Sequence, residues 1–390
     1  MTLLNSAKEL QPYLQNIRRE LHQFPEISLQ EKNTSEILLR ELKKIDGIQI
    51  RENVAGYGII ADFYGEKPGK LIALRADMDA LQIEEKNDVE WKSKNLGVMH
   101  ACGHDNHMTM VLGAALLLNK NKSKLSGGVR LIFQPAEELS PNGGAKDMIK
   151  AGALENVDMI LGMHVWPDLP LGKIGLKSGA LMAASDHFTI NIKGKSSHAA
   201  KPNEGIDALV AGAQFINQCQ TIVSRNTDPM QSIVITIGKM NSGTRYNIVA
   251  EECILEGTCR TFSPNIRDLA EKRLETILKG VCISSGCSGT LNYERGYSAV
   301  INNEEIIKYI RTTIEDKFKK DDIVNVEPCM TAEDFSHYLL EKPGALLWIG
   351  TTKEGETKYP LHSSYYSPNE EVLWKGSALL AELVLSLIHI

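Results

Sequence analysis

Eight consecutive residues, His100-Ala101-Cys102-Gly103-His104-Asp105-Asn106-His107, hold three of the chain's ten histidines together with a cysteine. Side chains that bind transition metals rarely crowd like this by chance. Others of the same chemistry stand far downstream: the Glu137-Glu138 pair, His164 in Met-His-Val-Trp-Pro, and His362 in Leu-His-Ser-Ser. A shared site demands a fold in which segments separated by most of the chain return to one place. Thiolate, imidazole and carboxylate together suit a Zn- or Mn-type ion rather than Ca or Mg, which prefer all-oxygen cages. The chain reads as a metalloenzyme.

At 390 residues the chain is too long for one ordinary core, so two domains are expected. Helical spacing of Leu10, Leu14, Ile17 and Leu21 predicts a helix over 5–23, and a second is expected over 34–42. Apolar runs of strand length follow at 57–64, 71–76, 129–133 and 159–165. Gly103 breaks the chain before a helix that Asp105 is expected to cap and that runs to about Leu118. A short helix covers 144–151. Strands that alternate with helices and lack a strict period of two indicate an α/β domain with a covered sheet.

The texture changes near Ser185. Phe188, Ile190 and Ile192 alternate with polar residues, as in a half-exposed strand. A helix over 205–223, a strand over 232–238, a turn at 241–243, an extended stretch over 246–262, a helix over 266–281 and a strand over 289–294 follow. This β-α-β-β-α-β order is the ferredoxin-like pattern. Helix 304–318, strand 345–350 and helix 370–387 return to the first texture. The expected fold is α/β: a catalytic domain, 1–184 plus 296–390, with a mixed, helix-covered central sheet, interrupted by an inserted α+β ferredoxin-like domain over 185–295.

Bulk properties exclude several classes. A net charge of -6, with no dense basic run beyond 119–124, argues against a nucleic-acid partner. No run reaches the ~18 apolar residues of a membrane span, and the first residues lack the apolar core of a signal peptide. Seven scattered cysteines form no disulfide framework, so a cytoplasmic location is expected.

The candidate residues divide by task. Cys102 and His104 lie two apart in a loop, where side chains point the same way and reach one ion. A thiolate between two cations can bridge them. Glu137 and Glu138 follow a strand end, where active-site residues of open α/β sheets gather. Neighbouring side chains diverge there, so one carboxylate can bind metal while the other faces water. His164 and His362 supply further nitrogen ligands. Asp77 and Asp79 end another strand and can accept hydrogen bonds from ligand imidazoles. His100 and His107 are weaker candidates, packed or supporting.

Together these motifs resemble the M20 family of metallopeptidases and, within it, the amidohydrolase branch of aminoacylase-like, hippurate-hydrolase and IAA-amino acid hydrolase-like enzymes. The resemblance runs through Leu21-His22-Gln23-Phe24-Pro25-Glu26, 75–81, 100–107, Gln134-Pro135-Ala136-Glu137-Glu138, His164-Val165-Trp166-Pro167, 195–200, Glu333-Asp334-Phe335 and Leu361-His362. It implies that Cys102, His104, Glu138, His164 and His362 hold two divalent ions, Mn2+ or Zn2+, with Co2+ or Ni2+ as substitutes. Cys102 stands where many relatives place a bridging Asp. Glu137 is then the general base. His198, in the insert, is similar to the family histidine that reaches into the partner subunit's site, and Asn247 and Arg260 match positions that bind substrate. Gln82 and Ala250, where Pro is common, and Thr331-Ala332 before Glu333-Asp334 depart from the pattern.

The resemblance implies an amidohydrolase that cleaves N-acyl amino acids, working as a homodimer through the insert. A dipeptidase or aminopeptidase on the same scaffold, a thiol amidase using Cys102 with His104, and a non-catalytic metal-binding homologue are the rival readings. Chelation separates the thiol amidase, and loss of the base would mark the non-catalytic homologue.

Overall fold

The computed structural model describes residues 2–389. In chain order its first part contains α1 (Leu3–Gln23), α2 (Lys32–Leu42), β1 (Gln49–Val54), β2 (Gly58–Tyr64), β3 (Lys67–Asp77), α3 (His104–Lys120), β4 (Ser126–Gln134), α4 (Ala145–Lys150), β5 (Met159–Pro170), β6 (Ile174–Leu176) and β7 (Gly179–Met182). Next come β8 (Ala184–Lys193), α5 (Ala208–Thr221), β9 (Ile233–Ser242), β10 (Glu252–Thr261), α6 (Pro264–Ser285) and β11 (Ser288–Arg295). The last part holds β12 (Val300–Asn302), α7 (Glu304–Lys317), β13 (Ile323–Asn325), α8 (Ser336–Glu341), β14 (Gly344–Thr352) and α9 (Val372–Leu387). Two compact units result. One comprises the chain up to Leu181, Ile301–Pro328 and the chain from Asp334 on; the other is Met182–Val300 with Cys329–Glu333.

The first unit is built on a mixed eight-stranded sheet in the order β1-β2-β4-β3-β5-β14-β6-β13. Its four central strands, β4, β3, β5 and β14, run parallel, with Leu74 opposite both Leu131 and Leu161, and Trp348 opposite His164. Parallel strands covered by helices are buried on both faces, which is why β4 and β5 read as continuous apolar runs instead of alternating. All four end at the same edge, and the loops leaving that edge carry the chemistry.

Helix α3 packs on these strands and against both α1 and α9, and it is buried on nearly every side. It starts at His104 and not at an Asp105 cap. Gly103 takes the capping position at φ +85°, and the Asp105 carboxylate turns inward to Arg18 Nε at 2.8 Å and His22 Nδ1 at 2.7 Å. A buried ion pair has displaced the local cap, although the acidic charge still lies in the first turn, where the helix dipole favours it. Gly113 lets α3 approach α9 closely, since a Cβ there would stand 2.2 Å from Ser377 Oγ.

The second unit is a four-stranded antiparallel sheet in the order β11-β8-β10-β9, with α5 and α6 supplying the helices of a β-α-β-β-α-β fold. Here burial does alternate along β8 and β10, and Phe188, Ile190, Ile192, Phe215, Leu255 and Leu274 form the core. The extended stretch expected from 246 starts only at Glu252, and β9 runs through Ser242 into the residues expected to turn. The register of β9 on β10 slips at Glu256-Gly257, which shifts the end of the hairpin. The short strands β1, β6, β7, β12 and β13 carry no pattern long enough to be read from sequence.

Gly113→Val should overpack the contact between α3 and α9 and destabilise the first unit by about 1–3 kcal/mol. Chemical denaturation followed by far-UV circular dichroism measures the loss.

Candidate metal centre

The loops after β3, β4 and β14, the start of α3, and β5 itself place the candidate side chains. The N–H of His362 donates to the Ala101 carbonyl at 2.9 Å, so the late loop is tied by its backbone to the cysteine loop. Gly103 is required at that junction: a Cβ would lie 2.4 Å from Val165 Cγ2. Ala136, at φ +57°, turns the chain after β4 just before Glu137 and Glu138.

The ligand atoms of Cys102, His104 and His164 all lie within 4.8 Å of one another, and so do those of Cys102, Glu138 and His362, and of His104, Glu137 and Glu138. Cys102 is common to the first two groups. Its Sγ is 3.6 Å from His164 Nε2, and His362 Nε2 is 3.3 Å from Glu138 Oε1. Two atoms bound to one tetrahedral zinc at about 2.0–2.3 Å stand roughly 3.3–3.7 Å apart. The observed spacings match ligand pairs around an ion.

Hydrogen bonds fix the rings. His104 Nδ1 donates to the Asp79 carbonyl at 2.8 Å, and His164 Nδ1 to the Val165 carbonyl at 2.7 Å, which turns each Nε2 toward the site, where it offers a lone pair to an ion once it holds no proton. His104 Nε2 and Glu138 Oε1 are buried without a hydrogen-bond partner. Such orphaned atoms are costly unless something cationic meets them. The residues therefore fit a pair of divalent ions. His107 does not join them: Nδ1 meets Asp77 Oδ1 at 2.7 Å and Nε2 accepts the Val165 N–H at 2.9 Å. His100 is buried nearby, and burial pushes it down to about 3.

Asp77 and Asp79 stand behind the rings. Asp77 Oδ2 accepts from Arg75 Nη1 at 2.8 Å, and Asp79 Oδ2 accepts from Ser28 Oγ at 2.7 Å and from the Glu138 N–H at 2.9 Å. Arg75 also binds Gln134 and Asp334, and the Asp334 N–H donates to Glu137 Oε1 at 3.4 Å. This Arg75–Asp334 link had no sequence signal beyond its place in matching motifs, because its partners are far apart in the chain.

Electrostatics point the same way. Burial pushes the Cys102 thiol well up, and the charges of Glu138, Glu137 and Asp77 push it further. Burial opposes a charged His104, but Asp77, Asp79 and Glu138 overcome it and raise the ring to about 10. Burial and the nearby His107 hold His164 well below its usual value, so it is a poor base for the thiol beside it. A thiolate nucleophile is thus disfavoured until a cation enters.

His198, Asn247 and Arg260 lie in the second unit. His198 is exposed, its Nδ1 accepts the Ala200 N–H at 3.0 Å, and the Ala199 N–H donates to the Asn247 carbonyl at 3.1 Å. Asn247 Oδ1 is buried without a hydrogen-bond partner. Arg260 is half-buried near the far end of β10, opposite Ser185 and Val234. From Glu252, where β10 begins, it is eight positions along the strand, roughly 26 Å. The insert brings His198 and Asn247 together and holds Arg260 apart from both.

Residues 73–386 match the family model described as peptidase family M20/M25/M40. The chain is 39% identical over 373 residues to N-acetyl-L-cysteine deacetylase of Bacillus subtilis, covering 96% of this chain and 88% of that one. It is 40% identical over 385 residues to thermostable carboxypeptidase 1 of Saccharolobus solfataricus, covering 97% of each. Among solved structures it is similar to the Bacillus subtilis YXEP protein, described as a dinuclear metal-binding peptidase from the M20 family. The TM-score there is 0.86 at 34% identity, over 98% of this chain and 99% of that one.

Cys102 and His104 both carry protons at neutral pH before metal enters, so loading chelator-stripped protein with Zn2+ should release about two protons, and affinity should rise with pH. Calorimetry in buffers of different ionisation heat counts them; zero release contradicts the assignment.

Proposed function

The chain belongs to peptidase family M20/M25/M40, and from that premise we propose that it is a metal-dependent amidohydrolase of N-acyl amino acids. The observation that carries the reading is Cys102 shared between two ligand groups, with the buried carboxylate of Glu137 beside them. Cys102, His104, Glu138, His164 and His362 hold the ions, Mn2+ or Zn2+, with Co2+ or Ni2+ able to substitute. The ions supply Lewis acidity that makes water a strong nucleophile near neutral pH. Glu137 takes a proton from the attacking water and returns it to the amide nitrogen as the C–N bond breaks, giving a carboxylic acid and a free amino acid. Asp77 and Asp79 keep the ligand imidazoles in their tautomers.

His198 donates to the carbonyl oxygen as negative charge develops there, Asn247 assists, and Arg260 holds the substrate carboxylate. These three roles rest on the family resemblance. Asn247 precedes β10 and Arg260 lies near its other end, a separation that supports division of the roles between subunits. A homodimer through the insert is also supported by the edge strand β9 and by exposed Leu209, Val210, Val223 and Val234. None of the seven cysteines is in a disulfide, which fits a reducing cytoplasm. Among the described residues no helix is long and apolar enough to cross a membrane.

A carboxypeptidase and an N-acetyl amino acid deacetylase both break an amide whose nitrogen belongs to a residue with a free carboxylate. Arg260 suits both, so peptides are the second reading. A non-catalytic homologue is disfavoured because the base is present.

The protein loaded with Mn2+, Zn2+ or Co2+ should release free amino acid from members of an N-acyl amino acid panel faster than from dipeptides, as read by amine detection. No release from any N-acyl amino acid refutes the proposal. Glu137→Gln should keep its full metal content and lose about 10²–10⁴-fold in kcat. Heterodimers of a His198→Ala subunit with a Glu137→Gln subunit should recover part of the activity that each homodimer lacks; recovery of none speaks against action across subunits.

A further inference from the structure

Glu31 precedes α2 at the position of a capping residue, yet it does not cap that helix. Glu26 does so instead, accepting the N–H groups of Asn33 at 3.1 Å and Thr34 at 2.8 Å. Glu31 points the other way. It is fully buried, and its Oε1 accepts two backbone N–H groups, from Leu29 at 3.0 Å and from Ala136 at 2.9 Å. Both donors are non-glycine residues in the left-handed region, at φ +67° and +57°. Backbone of this kind is strained and persists only where its surroundings hold it. Oε2 of Glu31 is buried without a hydrogen-bond partner. A carboxylate so expensively buried, and freed from helix capping, calls for a reason.

The two residues after Ala136 supply that reason. Glu137 and Glu138 need different directions, one carboxylate meeting the Asp334 N–H and the other facing His362. The same short segment grips the second half of the turn through Ser28, whose hydroxyl shares Asp79 Oδ2 with the Glu138 N–H. We propose that Glu31 is a positioning residue: its acceptor oxygen holds Ala136 in the left-handed turn that sends Glu137 and Glu138 to separate tasks. It acts through the backbone and touches neither substrate nor metal. The role needs an oxygen acceptor and not a charge, so a neutral carboxyl or a carboxamide serves equally.

The inference rests on the functional reading above only for the task of Glu137, and its test has an arm that needs no substrate. Zn2+ affinity is measured by competition with a chromogenic chelator, and kcat and KM are measured on whichever N-acyl amino acid the wild type cleaves. Glu31→Leu fills the space but accepts nothing; it should weaken Zn2+ binding about tenfold or more and lower kcat about 10–100-fold, with KM little changed. Glu31→Gln keeps the acceptor and should stay within about threefold of wild type in both. A merely structural role would lower thermal stability in both variants and leave the folded protein's Zn2+ affinity and kcat unmoved. A folded Glu31→Leu that keeps both, or a Glu31→Gln that loses both, overturns the assignment. Should Glu31→Leu not fold, Glu31→Met, close to glutamine in length but without an oxygen acceptor, takes its place in the same two measurements: losses like those expected of Glu31→Leu uphold the role, and wild-type values end it. If the wild type cleaves no N-acyl amino acid, the functional reading falls while the Zn2+ affinities still judge Glu31.

Discussion

Concentrated negative charge inside a dry interior is the constraint around which this protein is arranged. Asp77, Asp79, Asp105 and Glu137 are all buried, and Cys102 lies among them. A buried carboxylate is tolerable only when a cation or several donors meet it. The fold answers at each point with a partner from elsewhere in the chain. Arg18 and His22 reach from α1 to Asp105, Arg75 bridges Asp77 and Asp334, and His107 faces Asp77. On the inner side of the cluster, His104 Nε2 and Glu138 Oε1 keep no hydrogen-bond partner. The outer groups are neutralised by protein and the inner ones are not, so the same charge balance that stabilises the domain leaves a place that fits cations.

Backbone geometry then separates groups that the sequence makes adjacent. Glu137 and Glu138 are neighbours with identical chemistry, and nothing in their side chains tells them apart. The left-handed Ala136 before them, and the Asp79 carboxylate on the Glu138 N–H, give them different directions. Likewise, His104 and His107 lie one helical turn apart on α3. One keeps a free Nε2 while the other spends both nitrogens, because the Val165 N–H donates to the second.

Much of this was legible because the chemistry announces itself in residue type. The run from His100 to His107 stands out in any sequence, and Glu137 and His164 lie where parallel strands end or pass. The alternation of Phe188, Ile190 and Ile192 against the unbroken apolar runs of β4 and β5 separated an antiparallel insert from a parallel core. The hidden interactions act at a distance. Asp105 looked like a helix cap because capping is local, and the ion pair with Arg18 that overrides it is not. Arg75, Asp334 and Glu31 are ordinary charged residues whose meaning appears only when Gln134, Glu137 and Ala136 are brought beside them. The segment Cys329–Glu333 falls with the insert's unit although its position in the chain lies well past β11, and no periodicity marks so short a return.

The insert raises a requirement that the catalytic unit alone does not. His198 and Asn247 sit together beyond one end of β10, and Arg260 lies near the other. A substrate the size of an N-acyl amino acid spans far less than a ten-residue strand. If all three residues serve catalysis, two copies of the insert must contribute, each lending a different end. The exposed edge of β9 and the apolar residues on α5 then have a purpose beyond adhesion, since pairing them would fix the distance between one subunit's histidine and the other's arginine. A pair of inserts joined in this way would be part of the active site's geometry, and a single copy would then bind metal while turning over poorly.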